Sequence, residues 1–335
     1  MGLDVIDNYI TIVRPKVELI EVSKNRKGIN YSHIAKCARV CYGKENDKSN
    51  KEKDIKTFEN LSLNGHTSMF RHNSMYFIID VRYLEVADIR DIVDKLFEGN
   101  PFVDYDILDN EYIYMSTNFE YICDNENYII NILNNQYGLK NLSEYEVTPA
   151  KFCDKEIGHY LMRYTFKITT NISCSRELNR VSPNSIAERS TRYVRQNSGD
   201  CIGTICLHRA INFLGVDNEK PIVYNANNKN ACFRRARNNE VESISLDIPQ
   251  EALLSSAFTC FEKYKYALDC RVKLDVAKDI LPLSTMTIVI YTYSVRQWKH
   301  IIDLRYHGTT GTPHPHAREV IGMVRDELYD LGYEL

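Results

Sequence analysis

The run Ser284-Thr-Met-Thr-Ile-Val-Ile-Tyr-Thr-Tyr293 is rich in β-branched and aromatic residues. It reads as a buried strand, around which the rest of the chain must be arranged. The sequence on either side supplies helices. Pro249 sits at a helix start and opens a helical pattern through 267, followed by a second over about 270–280. Residues 295–304 read as a helix and 317–331 as an amphipathic one. Upstream, 16–22, 75–81 and 164–169 read as strands, 32–42 as a helix, and 44–56 as a polar loop. Helices and strands alternate without the regular spacing of a βαβ series, which predicts an α+β fold rather than a doubly wound α/β one.

Two stretches differ in character. Residues 82–160 are rich in Asp, Asn, Glu and Tyr, with a helix-like piece at 86–97, a strand-like piece at 111–122 and no chemical motif. They are expected to form an inserted lobe. Residues 196–239 are again polar and are expected to be a smaller excursion rather than core. On a scale of about 100–200 residues per domain, the 335 residues then read as one domain, 1–335, enlarged by two insertions.

Lys and Arg number 42 against 45 Asp and Glu, a net charge of −3, which excludes a generally basic nucleic-acid-coating protein. No apolar run approaches the ~18 residues of a membrane span. The start Met1-Gly2-Leu3-Asp4-Val5-Ile6 has neither the regions of a signal peptide nor the Ser/Thr that myristoylation needs. A cytoplasmic protein, with neither membrane nor nucleic acid as partner, is expected. The ten cysteines contain no Cys-x-x-Cys and are expected to be reduced, small core residues.

Gly-x-Gly-x-x-Gly, the P-loop and Gly-x-Ser-x-Gly are all absent. Any nucleotide must therefore be held mainly by side chains, among which Arg matches phosphate best. The densest chemistry is Ser175 to Tyr193, with four Arg, two Glu and four Ser in 19 residues. Ser182 before Pro183 predicts an N-cap and a helix start. Ser185, Glu188, Arg189 and Arg192 would then share one face. That face suits an anion carrying a heterocycle. It equally suits a solvated helix with a Glu188–Arg192 pair worth about 0.3–0.5 kcal/mol.

These residues resemble the flavin-dependent thymidylate synthases, whose signature is Arg-His-Arg, seven residues, then Ser, commonly ending Ser-x-Arg-Tyr. Here Arg180 opens the motif and Ser190 closes it at the family spacing. Ser175-Arg-Glu-Leu178 and Glu188-Arg-Ser-Thr-Arg-Tyr193 are similar to its flanks. Ala38-Arg-Val-Cys-Tyr-Gly43, Gly65-His-Thr-Ser-Met-Phe-Arg-His72, Lys278-Asp-Ile-Leu-Pro282, Ser294 to Arg305, and His314-Pro-His-Ala-Arg-Glu-Val320 resemble further family blocks, in the family's order.

The resemblance implies the family's α+β fold, a mixed sheet with helices, and a homotetramer with active sites shared between subunits. It also implies FAD as cofactor, with NADPH and methylenetetrahydrofolate as co-substrates, converting dUMP to dTMP. Arg305 and Ser190 would be catalytic, Arg305 favouring ionisation at N3 of the uracil. Glu177, Arg180, Glu188, Arg189, Ser190, Arg192, Lys278 and Arg305 would bind dUMP. His66, Ser68, Arg180, Val181, Ser182, Glu188, Ser294, Arg296 and His300 would line FAD. The chain departs from the family at Val181 and Ser182, which replace the motif's His and second Arg. Arg71 replaces a Glu, Cys41 a Ser and Ser294 an Asn.

Alternatives are a related pyrimidine nucleotide C5-methylase or hydroxymethylase, and a non-catalytic nucleotide-binding paralogue. His307, His314 and His316 near Asp303 also invite a zinc reading, but the family carries no metal there and none is expected.

Overall fold

Three sheets organise the residues described by the computed structural model, which are 8–45, 47–48, 50–181, 185–208, 222–226, 231–235 and 241–335. Their strands, in chain order, are β1 (Tyr9–Val13), β2 (Lys16–Ile20), β3 (Ser74–Asp80), β4 (Asp104–Leu108), β5 (Tyr112–Asn118), β6 (Arg163–Asn171), β7 (Ile186–Glu188), β8 (Cys201–Cys206), β9 (Ile222–Asn225), β10 (Ala231–Arg235), β11 (Val241–Ile244) and β12 (Met286–Ser294). The architecture is mixed α+β.

The central sheet has the order β2-β6-β12-β7. As its composition predicts, β12 is buried. It pairs antiparallel with β6 along its whole length, from Met286 opposite Asn171 to Ser294 opposite Arg163. Successive side chains leave a strand on opposite faces, so β12 serves two cores. Val289, Tyr291 and Tyr293 join Phe166, Ile168 and Trp298 beneath helices Val295–Ile302 and Pro315–Asp330. Phe166 and Tyr293 meet the Trp298 ring at centroid distances of 5.2 and 5.0 Å. On the other face Ile288 and Ile290 pack with Ile34, Ala38, Met69 and Phe70, from helix Tyr31–Cys41 and the 3₁₀ turn Thr67–His72.

Helix Val295–Ile302 starts where β12 stops because Ser294 caps it: the Ser294 hydroxyl accepts from Gln297 N–H, and the Gln297 side chain accepts from Ser294 N–H. The same device, Asp247 with Gln250, starts helix Ile248–Asp269. Leu254, Phe258 and Phe261 of that helix are buried against the five-stranded sheet β11-β10-β9-β1-β8. Phe261 lies so close to β8 that a Cβ on Gly203 would meet its ring at 2.2 Å.

Residues 196–239, expected to be an excursion, instead supply β8, β9 and β10, with Ile202, Ile205, Ile222 and Tyr224 buried. These strands are short, and the polar residues between them conceal them in any average of composition. The third sheet, β3-β5-β4, packs with helices Val86–Leu96 and Phe119–Ile130 around a core that includes Phe77, Ile79, Ile92 and Leu133.

Other boundaries move for local reasons. The piece at 111–122 divides at Asn118, whose side chain accepts from Tyr121 N–H and begins a helix. The polar loop is cut short by helix Lys51–Leu63, capped by Asn50. The helix expected at 270–280 shrinks to Leu274–Ala277 and a 3₁₀ turn, Lys278–Ile280, after Arg271 at φ 64°. The helix expected from Ser182 is overturned for the residues described. Ile186–Glu188 is a strand, paired with β12 through Ala187 opposite Ile290, so no single helical face carries Ser185, Glu188, Arg189 and Arg192. Burial of Ala187 and pairing with β12 outweigh an i,i+4 contact; Ser182 and Pro183 lie outside the described residues. All ten cysteines are free thiols, with Cys37, Cys174, Cys206 and Cys232 buried. No helix among the described residues is long and apolar enough to cross a membrane.

Candidate functional site

Helix Ile172–Asn179 begins at Asn171, the last residue of β6, whose side chain accepts from Cys174 N–H. It therefore carries Glu177 beyond the end of the strand. The Glu177 carboxylate pairs with Arg180 at 3.0 Å, while the Arg180 side chain stays 69% exposed. The Glu177 carbonyl accepts from Arg305 Nε at 3.2 Å. Arg305 belongs to a π-helical turn, Asp303–His307, that follows helix Val295–Ile302 and ends at Gly308 with φ 76°. One backbone carbonyl thus anchors one edge of the Arg305 guanidinium.

Next to this group, Arg180, Val181, Arg296, His300 and Leu304 line an open cleft of about 580 Å³ together with Asp104 and Gln297. Arg296 donates to the Tyr105 carbonyl (2.9 Å) and to Asp106 (2.8 Å). Asp104 accepts from the Ser294 hydroxyl. Four of the residues expected at a flavin, Arg180, Val181, Arg296 and His300, therefore share one wall system. Arg180 and Arg296 are each paired with a carboxylate, Glu177 and Asp106, so the cleft is near neutral but rich in N–H donors, which suit an anionic group. Ser294 is fully buried and engaged in capping.

A second group surrounds Ser190. Its backbone N–H donates to the Cys41 carbonyl at 3.0 Å, and its hydroxyl accepts from the N–H groups of Arg192 and Tyr193 at 3.1 and 3.2 Å. Glu188, at the end of β7, accepts from the Thr287 hydroxyl at 3.0 Å. Burial, reinforced by the nearby Glu188 carboxylate, pushes the Cys41 thiol up to about 11, so it stays protonated at neutral pH. Arg189 reaches Glu45 at 3.7 Å, and its Nε is buried without a partner. Arg192 is exposed beside the Tyr193 ring. The 3₁₀ turn containing Ser68 packs Met69 and Phe70 against Ala187, so Ser68 and the preceding His66 lie on the β7 side.

Lys278 stands in its own 3₁₀ turn and pairs with Asp279 at 3.4 Å. Asp104, Gln297 and Glu120 were missed by sequence reasoning. Arg71, which stands in place of a family Glu, pairs with Glu120 and lies over the Phe102 ring at 4.8 Å. The only signal was the acidic character of the 82–160 segment, which shows where acids are abundant and not which basic groups they meet. His314 accepts from His316 N–H at the start of helix Pro315–Asp330, and His316 stacks on His208 at 4.2 Å. Among the described residues no group of three or more His, Cys, Asp or Glu is arranged to hold a metal ion.

The family model for the thymidylate synthase complementing protein matches residues 160–330. No curated protein matches the sequence. Among solved structures the chain is similar to the UMP/dUMP methylase PolB from Streptomyces cacaoi bound with 5-Br UMP, at 14% identity over 96% of this chain and 92% of that one, TM-score 0.38. It is similar to the same protein bound with 5-Br dUMP at 15% identity over 96% and 93%, TM-score 0.37.

Proposed function

The chain belongs to the thymidylate synthase complementing protein family, and from that premise we propose that it methylates C5 of a uridine monophosphate nucleotide, dUMP first. In this reading methylenetetrahydrofolate provides the carbon and NADPH the reducing equivalents. The observation that carries it is the Arg305–Glu177–Arg180 group, which lies within the segment that the family model matches and stands beside the donor-rich cleft. Arg305, held on the Glu177 carbonyl, has guanidinium hydrogens left for a uracil ring. A fixed cation there favours the N3-ionised form and raises electron density at C5. Ser190, Glu188, Arg189, Arg192 and Lys278 contribute to the nucleotide's binding.

The N–H donors of the cleft fit the anionic part of FAD. Arg180 and His300 are exposed, and Arg296 stands with them. These residues would hold its anionic part, with His66, Ser68 and Val181 at its edges. When bound, the reduced flavin supplies the hydride equivalent that makes the transferred carbon a methyl group. The Arg305 and Ser190 groups sit on different elements, which favours a site completed by a second copy of the chain, in a homotetramer. Residues 1–335 then form one enlarged domain with 82–160 as its inserted lobe.

A second reading, a related pyrimidine nucleotide C5-methylase or hydroxymethylase, is favoured by Val181. An aliphatic side chain lines the cleft where the family has an imidazole. Anaerobic incubation with FAD, NADPH, methylenetetrahydrofolate and either dUMP or UMP, with mass spectrometry of the nucleotide, separates the two. Methylated dUMP is the expected product. UMP methylated in its place selects the second reading. Both nucleotides unchanged, with flavin bound, leaves a binding paralogue.

A further inference from the structure

We propose that the part-open cavity of about 390 Å³ at the β2–β6 end of the central sheet binds a small monoanionic carboxylate with an apolar body. None of the residues assigned above to nucleotide or flavin lines it. Arg163, the first residue of β6, is 6% exposed. Its Nη2 donates to the Thr292 carbonyl at 3.2 Å, while Nε and Nη1 are buried with no partner. No carboxylate of the described residues is within 4.0 Å of it. Burial works against its positive charge.

An unpaired guanidinium in a protein interior is costly, and an anion in the adjoining space removes that cost. One further donor lines the same space. Asn73 uses Oδ1 to accept from Asn30 N–H at 2.7 Å, which turns its unpartnered Nδ2 outward from that bond. The His72 ring lines the same space but is engaged by the Thr292 hydroxyl and the Ile186 backbone.

The charge of the ligand follows from the neighbours. His33 Nε2 meets the Thr165 hydroxyl (3.2 Å), which meets Thr292 Oγ1 (2.8 Å), which meets His72 Nδ1 (2.8 Å). Burial pushes His33 down to about 4 and His72 to about 3, so both imidazoles are neutral at pH 7. Among the residues lining the cavity Arg163 is then the one buried full charge, with Asp104 acting on it only from beyond ion-pair distance. A carboxylate balances it, whereas a phosphate dianion would leave one negative charge buried and unpaired. Tyr76, Met162, Tyr164 and Leu331 form walls for an apolar body, and the exposed Glu21, Lys24 and Arg26 stand at the rim, two cations against one carboxylate.

The test is calorimetric titration and thermal melting of the full chain at pH 8, where inorganic phosphate is mainly the dianion, and at constant ionic strength. Benzoate and hexanoate are the carboxylate probes, and inorganic phosphate is the competing anion. Saturable binding of a carboxylate with a rise in Tm, and none of phosphate, is expected. Arg163→Met should weaken the carboxylate at least tenfold, the loss of one charge-assisted hydrogen bond. Because that variant removes a buried group, Val22→Trp serves as a second one. Val22 lines the cavity and is 44% exposed, so tryptophan there obstructs entry without touching the cation. No saturable binding of either carboxylate, phosphate binding in their place, or an affinity unchanged in folded Val22→Trp overturns the proposal.

Discussion

On one face of the central sheet, Tyr291, Tyr293 and Phe166 pack beneath Trp298, and the helix that carries Trp298 turns Arg296 and His300 outward to solvent. On the opposite face, Thr165 and Thr292 join His33 and His72 in a closed hydrogen-bond chain beside Arg163. The first face keeps its arginines wet and partnered: Arg180 by Glu177, Arg296 by Asp106, Arg305 by a carbonyl. The second keeps one arginine dry and without an acid. The difference is solvation. A guanidinium at a cleft edge is retained at little cost and is free to engage substrate. A buried one with orphaned N–H groups raises the energy of the empty protein.

The largest effect expected from breaking this contrast is at Arg305. Arg305→Ala should lower kcat/KM by about 10²–10³-fold, with Tm unchanged because the residue is only partly buried. Retained turnover would remove it from the chemistry.

The dry face should respond to pH. His33 and His72 are held at about 4 and about 3 when folded, below the ordinary value of about 6.5. Between those values the unfolded chain binds more protons, so this stability is intact above pH 6.5 and is lost as pH falls toward 4. From pH 7 to 5 each contributes a loss on the order of 2 kcal/mol. Urea denaturation at the two pH values measures it, and His72→Gln should flatten the dependence.

Smaller is Asp104→Ala, which strips the buried Ser294 hydroxyl of its acceptor. A loss of about 1–3 kcal/mol is expected by denaturant titration. Smallest is Ser190→Ala, which removes an acceptor for two backbone N–H groups. It should cost about 1 kcal/mol and weaken dUMP more than FAD in equilibrium binding. The reverse order would break the division between nucleotide and flavin groups.

Where each feature was legible follows from what encodes it. The burial of β12 is written in its composition, and helix Val295–Ile302 in Ser294 and Gln297, because both signals are local. The Arg180-to-Ser190 spacing points to the family without any structure. The strand at Ile186–Glu188 was illegible because three residues pair with a partner about a hundred positions away. β8 to β10 were hidden for the same reason, their partners being each other and the N-terminal β1. Arg71 illustrates the limit. Its departure from the family Glu is plain in sequence, yet the Glu120 and Phe102 that meet it lie on a segment with no motif.

The sequence by itself determined the α+β class, the buried strand and the family, since each depends on neighbours within a few residues or on residue identity at set spacings. Only the tertiary structure decided which acid faces which base, that Ser190 spends its hydroxyl on its own backbone, and that Arg163 lies buried beside a part-open cavity. Those outcomes depend on desolvation and long-range pairing, and both are set by which segments the fold brings together.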